Sequence, residues 1–307
     1  MKPLVLFLVG PTASGKSSLA IDIARQVGGE IISADSMLVY KGMDIGTAKP
    51  SKADQRKVTH HLIDIFSPAK TFSVFDYRKR AVKKIQEISK RGKIPIVVGG
   101  SGLYVRAILK GLSLEPGPDP VFRKKLKMEI RKKGLAAIYE KLQKENPGRA
   151  SKIKPADEKR IVRALEILNH SAKGSAVSER TESLQELGFQ PLIIGIEKDR
   201  GELYADIEAR VDQMFRKGLV AEVKRLLSKG RLSKTASQAV GYKEILRYLK
   251  GDYSLQEAKD LIKKNTRHLA KRQFTWFRRE EGIRWIRCDS GRLKDLISHE
   301  MLSLINS

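Results

Sequence analysis

Apolar positions in this chain fall into two textures. In the first 112 residues, solid apolar runs alternate with segments that are apolar on one face only. Leu4-Val-Leu-Phe-Leu-Val9, Glu30-Ile-Ile-Ser-Ala34 and Ile94-Pro-Ile-Val-Val98 have the length of strands buried on both faces. Between them, Ser17–Val27 repeats at helical spacing, and Leu103–Leu109 gives another helix. Ser73-Val-Phe-Asp76 has capping-box spacing, with Asp in place of the preferred Glu, and opens a helix that carries Ala81, Val82, Ile85 and Ile88 and stops at Gly92. This strand–helix alternation predicts an α/β fold built on a parallel sheet.

The second texture begins after Glu115-Pro-Gly-Pro-Asp-Pro120, which reads as a linker. Apolar residues now recur only at helical spacing: Phe122, Leu126, Ile130; then Leu135, Ile138, Leu142; then Ile161, Leu165, Leu168. Residues 115–190 therefore form an all-helical insertion. Pro191-Leu-Ile-Ile-Gly-Ile196 returns to the sheet. A helix follows over Glu202–Phe215 with Ile207, Val211 and Met214 inside, another begins at Gly218, and a glycine turn at Gly241 leads into a third. A long helix is expected over Lys263–Arg279, a short strand at Arg284–Arg287 and a last helix over 292–305. The core thus comprises 1–114 and 191–307. With 307 residues, 41% of them hydrophobic, such a core has enough material.

The chemistry starts where the first strand ends. Gly10-Pro11-Thr12-Ala13-Ser14-Gly15-Lys16-Ser17 matches the phosphate-binding loop pattern, in the required order of strand, loop and helix. Glycines let backbone amides converge on an anion, the helix start adds partial positive charge, and Lys16 adds a full one. Ser17 is the residue type that binds Mg²⁺ at that position. Asp35 follows the second strand, at the sheet's carboxyl end, where ligands bind in open α/β sheets. It is read as a Mg²⁺ ligand, a general base or a turn cap. Gly99-Gly100-Ser101-Gly102 is a second strand–glycine–helix turn, which either adds amides and a hydroxyl to the same ligand or needs glycine for sterics alone. Thr47 and Lys49 in the loop Met43–Pro50 have groups that reach a phosphate if the loop faces it. His60-His61 is read as packing and hydrogen bonding, because adjacent histidines project apart.

Charge then narrows the class of partner. Sixty-one Lys and Arg against 35 Asp and Glu leave a net charge of +26, an excess typical of polyanion binders. It is unevenly spread: Val121–Arg163 holds fifteen basic and five acidic residues, with Arg160 and Arg163 on one helix face. Lys263–Arg279 holds seven basic residues and no acid, with Lys264, Arg267, Lys271 and Arg278 forming a stripe beside the packing residues Ala270, Phe274 and Phe277. Both stretches point to RNA backbone contact. The single cysteine, Cys288, rules out an internal disulfide and a multi-cysteine zinc site. No apolar run reaches membrane-spanning length and no signal segment precedes the first strand, so a cytoplasmic protein, monomeric by default, is expected.

Taken in order, several of these stretches resemble one family. Gly10–Ser17, Ser33-Ala-Asp-Ser-Met37, Gly42-Met-Asp-Ile-Gly-Thr-Ala-Lys-Pro50, His60-His-Leu-Ile-Asp64, Gly99-Gly-Ser-Gly-Leu-Tyr104, Arg160-Ile-Val-Arg-Ala-Leu-Glu166 and Val240-Gly-Tyr242 are similar to the motifs of bacterial-type tRNA dimethylallyltransferases. The resemblance implies a P-loop, kinase-like core with a helical insertion. It implies transfer of a dimethylallyl group from dimethylallyl diphosphate to N6 of the adenosine immediately 3′ of the anticodon, with the base flipped into a channel. By the resemblance, Asp35 is the general base and Ser101, in place of the usual Thr, lies beside the bridging oxygen. Lys16 and Arg210 clamp the diphosphate bound by residues 10–17, and Ser17 holds Mg²⁺. Contacts to the tRNA anticodon stem-loop fall on Asp35, Ser36, Met37, Leu38, Ser101, Arg123, Lys159, Arg160, Ile161, Val162 and Arg163. Leu38 stands where the family usually has Gln, which removes an expected polar contact.

The chemistry of that reaction fits the residues. Charge grows on the bridging oxygen as diphosphate leaves, so amides, Lys16, Arg210 and Mg²⁺ supply the large stabilising contribution, and no ATP is required. Residues 1–112 alone also fit a P-loop small-molecule kinase or a prenyltransferase acting on free adenine nucleotides. A nucleic-acid-dependent ATPase or a non-catalytic RNA-binding module would explain the charge but leave Asp35 and Ser101 without a task.

Overall fold

The computed structural model describes residues 2–113, 117–171, 180–287 and Ile297. In chain order, the first part runs β1 (Leu4–Val9), α1 (Lys16–Gln26), β2 (Glu30–Ser33), α2 (Lys52–Lys57), β3 (His60–His61), α3 (Val74–Lys90), β4 (Pro95–Gly99) and α4 (Gly102–Lys110). Three helices follow: α5 (Pro120–Glu145), α6 (Pro147–Ala150) and α7 (Glu158–Ser171). The chain then continues through β5 (Gln190–Glu197), α8 (Arg200–Arg216), α9 (Leu219–Ser228), α10 (Lys234–Ser237), α11 (Tyr242–Tyr248), α12 (Leu255–Phe277) and β6 (Ile283–Arg287).

The six strands form one sheet in the order β3-β2-β4-β1-β5-β6. Every neighbouring pair is parallel, with Leu6 opposite Ile96 and Leu192 in the central ladders. Because side chains alternate across a strand, β1 feeds two cores: Val5, Phe7 and Val9 pack on one face, and Leu4, Leu6 and Leu8 on the other. Tyr77, Ile85 and Ile88 of α3 cover the first face; Ile23 and Ala24 of α1 cover the second. The capping box at Ser73 forms as its spacing predicts: the hydroxyl accepts from the Asp76 amide and the Asp76 carboxylate accepts from the Ser73 amide.

The chain divides into two compact units, Met1–Gly111 with Glu182–Ser307, and Leu112–Thr181. Glu182–Phe189, read with the insertion above, falls in the larger unit because Leu184 and Phe189 bury among Tyr77, Tyr104 and Ile108. The smaller unit has its own core of Leu126, Ile138, Leu142, Ile161, Val162 and Leu165. Its α5 is capped by Asp119 and kinked at Gly134, where φ is 81°.

One helix is longer than its pattern suggested. Ser254 and Glu257 form a capping box, and Ala258 and Ile262 are buried, so α12 begins eight residues before Lys263. The expected helix over 292–305 lies outside the described residues except for Ile297, which is buried, and Cys288 lies outside them too.

Candidate active site

The phosphate loop joins β1 to α1. Ala13 (φ 65°) and Gly15 (φ 80°) take left-handed conformations, which turn successive amides inward. Helix α1 starts at Lys16 without a side-chain cap, so its first-turn amides remain available to an anion. Gly10 is required by space: a Cβ there would press on the Ile196 carbonyl at 2.8 Å. The buried Lys16 amine donates to the Pro11 carbonyl at 2.7 Å. Burial brings its pKa down to about 8; the Arg210 charge adds to this and the Asp35 charge opposes it. The Ser14 hydroxyl is buried without a hydrogen-bond partner among the described residues.

A residue far along the chain holds this loop in place. Gln273 of α12 accepts from the Thr12 amide at 2.8 Å and donates to the Gly100 carbonyl at 3.0 Å, bridging both glycine turns. The second turn needs its glycines for space, since Cβ atoms would strike the Ala34 carbonyl at Gly99, Gln273 at Gly100 and Trp276 at Gly102. It also presents a hydroxyl: Ser101 Oγ accepts from the Ser36 amide at 3.0 Å and lies 3.3 Å from Ser36 Oγ. Asp35 Oδ1 accepts from the Met37 amide at 2.8 Å, which fixes the carboxylate just beyond β2.

The loop Gly42–Pro50 is held by Glu222, a residue that sequence pattern did not single out. Its buried carboxylate accepts from the amides of Asp44, Ile45 and Gly46 and from the Tyr242 hydroxyl. Lys49 does not offer its amine to a ligand. It donates to the Tyr40 carbonyl and pairs with Asp44 and Asp64, so it braces the loop. The Thr47 hydroxyl donates to the Met43 carbonyl, while the Thr47 carbonyl accepts from Arg210 at 3.3 Å. Burial lowers the Arg210 pKa from its ordinary value, and Asp35 opposes that shift. His61 pairs with Glu30 at 2.7 Å and His60 bonds the Val58 carbonyl at 2.8 Å, the packing role expected of them.

Two cavities flank Arg210. The larger, about 530 Å³, is lined by Ser17, Ser18, Asp22, Asp44, Arg210, Met214 and Lys217 among others. The smaller, about 270 Å³, carries Thr12, Asp35, Ser36, Met37, Ser101 and Arg210, together with Val240, Arg272 and Gln273. The loops thus bring Asp35, Ser101 and Arg210 onto one wall system. Leu38 is half-buried, and its carbonyl accepts from the Asp64 amide. Gln273, Arg272 and Val240 add to the expected set. Val240 lay in the motif Val240-Gly-Tyr242 and Arg272 in the basic run of α12, whereas Gln273 carried no signal.

Ser17 is exposed at the start of α1 and lines the larger cavity, as a Mg²⁺ ligand at this position must. Among the described residues, no three His, Cys, Asp or Glu side chains cluster for a metal. A divalent ion at Ser17 would take its remaining ligands from diphosphate oxygens and water, a donor set that suits Mg²⁺.

In the helical unit, the expected contact residues divide. Lys159 and Arg160 are exposed, although Arg160 also pairs with Asp157 at 3.4 Å. Ile161 and Val162 are buried in the unit's core, so their side chains do not face a ligand. Arg123 and Arg163 both bind the buried Glu166 carboxylate, which also accepts from the Asp119 amide. Burial works against the charge on Glu166, yet these hydrogen bonds hold its pKa at about 2. On α12, Arg267 pairs with Glu208 and Arg278 with Glu197, while Lys264 and Lys271 are exposed. The stripe is therefore partly neutralised within the protein. No helix among the described residues is long and apolar enough to cross a membrane.

A parallel sheet with a phosphate loop after β1, and a carboxylate in the adjoining cavity, defines an α/β enzyme of the P-loop class. The family model described as IPP transferase matches residues 38–280. A tRNA dimethylallyltransferase of Carboxydothermus hydrogenoformans is 47% identical over 95% of this chain and 94% of its own length. The enzyme of that name from Geobacter sulfurreducens is 44% identical over 93% and 92%. The crystal structure of the tRNA isopentenylpyrophosphate transferase of Bacillus halodurans superposes with a TM-score of 0.73 at 38% identity, covering 99% of this chain and 96% of that one. A eukaryotic dimethylallyltransferase acting on tRNA gives 0.76 at 26% identity, covering 99% and 79%. The chain belongs to the IPP transferase family, the family of the tRNA dimethylallyltransferases.

Proposed function

We infer that this protein transfers the dimethylallyl group of dimethylallyl diphosphate to N6 of the adenosine immediately 3′ of the anticodon in tRNA, releasing diphosphate. The observation that carries the reading is the smaller cavity, where Asp35 and Ser101 line the same space as Arg210 and the phosphate-loop residue Thr12. A carboxylate beside an anion clamp suits attack by a weak nitrogen nucleophile on carbon with diphosphate as leaving group.

In this reading the diphosphate lies against the amides of residues 10–17, between Lys16 and Arg210. The exocyclic amine of a flipped adenine meets the allylic carbon, since a stacked base cannot reach a recessed electrophile. As the N6–C bond forms and the C–O bond breaks, Asp35 accepts the N6 proton, and such a base contributes about 10²–10⁴-fold. Negative charge growing on the bridging oxygen is met by the Ser101 hydroxyl, Arg210 and Lys16, donors fixed before the reaction. Mg²⁺ held through Ser17 would neutralise further diphosphate charge. The RNA backbone is attracted by exposed cations such as Lys159, Arg160, Lys264 and Lys271.

The test is incubation with Mg²⁺, labelled dimethylallyl diphosphate and unmodified tRNA, without ATP. Label in tRNA, lost on Asp35→Ala, is the expected result. Label in free AMP instead, or phosphate transfer from ATP, overturns it in favour of a nucleotide enzyme.

A further inference from the structure

Glu222 is buried on α9, 176 residues from Gly46 in sequence, yet its carboxylate holds the Gly42–Pro50 loop from beneath. Oε2 accepts from the Asp44 amide at 3.0 Å and the Ile45 amide at 2.8 Å. Oε1 accepts from the Gly46 amide at 3.1 Å and the Tyr242 hydroxyl at 2.7 Å. Three consecutive amides on one carboxylate form an anion nest, built here around a side chain of the protein itself. Tyr242 is fully buried, and burial together with Glu222 raises its pKa well above the ordinary phenol value, so it remains a donor. Its ring also lies so close to Gly46 that a Cβ there would collide with it.

The loop leaves this nest directly into Thr47, whose carbonyl accepts from Arg210 at 3.3 Å. Among the described residues, that carbonyl is the one hydrogen-bond acceptor Arg210 has in the protein. Arg210 lines both cavities, so its direction decides where a cation meets an anionic ligand. A guanidinium with a single weak tether on a loop is aimed only as well as that loop is fixed. Four neutral donors on one buried carboxylate fix it, and none of the hydrogen-bond partners of Glu222 is a cation.

We propose that Glu222 is a positioning residue for the diphosphate grip: through the nest at Asp44–Gly46 it sets the Thr47 carbonyl, and through that carbonyl the direction of Arg210. The proposal rests on the reading that the Arg210 cavity takes an allylic diphosphate. Glu222→Gln keeps the size of the group but turns an NH₂ toward amides that also donate. Tyr242→Phe removes one donor and leaves the carboxylate in place. Glu222→Asp keeps the charge but withdraws it by one methylene.

The experiment measures the Kd for inorganic diphosphate with Mg²⁺ by calorimetry, the KM for dimethylallyl diphosphate, the Kd for tRNA, and thermal unfolding. For Glu222→Gln, the diphosphate Kd and the KM should each rise about tenfold or more, the scale of one charge-assisted hydrogen bond. The tRNA Kd should stay within about twofold, and Glu222→Asp should recover part of the loss. In an Arg210→Met background the same substitution should leave diphosphate affinity unchanged, because residues acting through one contact are not additive. A purely structural role predicts lower thermal stability with unchanged diphosphate Kd and KM in the folded fraction, which overturns the proposal. If Glu222→Gln does not fold, Tyr242→Phe decides by the same readouts: a raised diphosphate Kd supports the proposal and an unchanged one overturns it. Absence of transfer to tRNA by the unaltered protein would instead overturn the functional reading, independently of the variants.

Discussion

Each unit of this protein is built over a buried carboxylate, and the two are used differently. Glu222 in the larger unit receives neutral donors only, three amides and a phenol. Glu166 in the smaller unit receives two arginines and one amide. The first shapes a loop and pairs with no cation, while Arg210, held by the Thr47 carbonyl of that loop, lines both cavities. The second takes two cations out of circulation to hold the start of α5 against α7. A count of basic residues does not distinguish these cases. Fifteen Lys and Arg over Val121–Arg163 suggested a surface for RNA, yet two of the most specific candidates among them are internal partners of Glu166.

The sharpest way to break the contrast is in the cavity. Asp35→Ala should lower kcat about a hundredfold or more, the worth of a general base, with tRNA binding intact. Near-normal turnover would show that the cavity works by its cations alone. Next in size is the pH dependence of those cations. Because the Lys16 pKa is brought down to about 8, its charge is present below that pH and lost above it. kcat/KM for the allylic diphosphate should therefore fall by about tenfold per pH unit above 8, as for loss of one required proton. Lys16→Arg should remove that decline.

In the helical unit the expected effects are on stability. The Glu166 pKa, about 2, lies below the ordinary 4.5. Its contribution is therefore complete above about 4.5 and is lost as pH falls toward 2. Glu166→Gln should cost about 1–3 kcal/mol near neutral pH, the scale of hydrogen bonds to a charged group, and should flatten the acid loss measured by thermal unfolding. Arg163→Ala belongs with this class. By contrast, Lys159→Ala with Arg160→Ala should leave stability nearly unchanged and reduce the slope of log K for tRNA against log salt by about two. The smallest effect expected is that of Leu38→Gln on tRNA affinity or base preference, since the Leu38 carbonyl already anchors the backbone to Asp64.

Local rules made five of the six strands and the first loop legible; the two-residue edge strand His60–His61 carried no strand pattern. The strand Leu4–Val9 and the loop Gly10–Ser17 carry their own chemistry in consecutive residues, as does the Ser73–Asp76 cap. The start of α12 was legible too, in Ser254-Leu-Gln-Glu257, but the dense basic run further on drew the boundary to Lys263. What could not be read were partnerships set by the fold. Glu222 meets Asp44, Arg123 meets Glu166, and Lys49 meets Asp64, across 178, 43 and 15 residues. Residue type gives no hint of which carboxylate a distant amide will find. The amine of Lys49 was open to a phosphate on sequence alone because a cation in a plausible place is free until its neighbours are known.

The Gln273 bridge has a consequence for synthesis. Thr12 and Gln273 are 261 residues apart, so the phosphate loop receives its brace only after 261 further residues have been synthesised. At typical elongation of about 5–20 residues per second, the amino-terminal strand and helix wait on the order of tens of seconds for it. A nascent chain lacking α12 would carry the complete phosphate-loop motif without the geometry, and diphosphate binding would appear late, together with the docking of that helix.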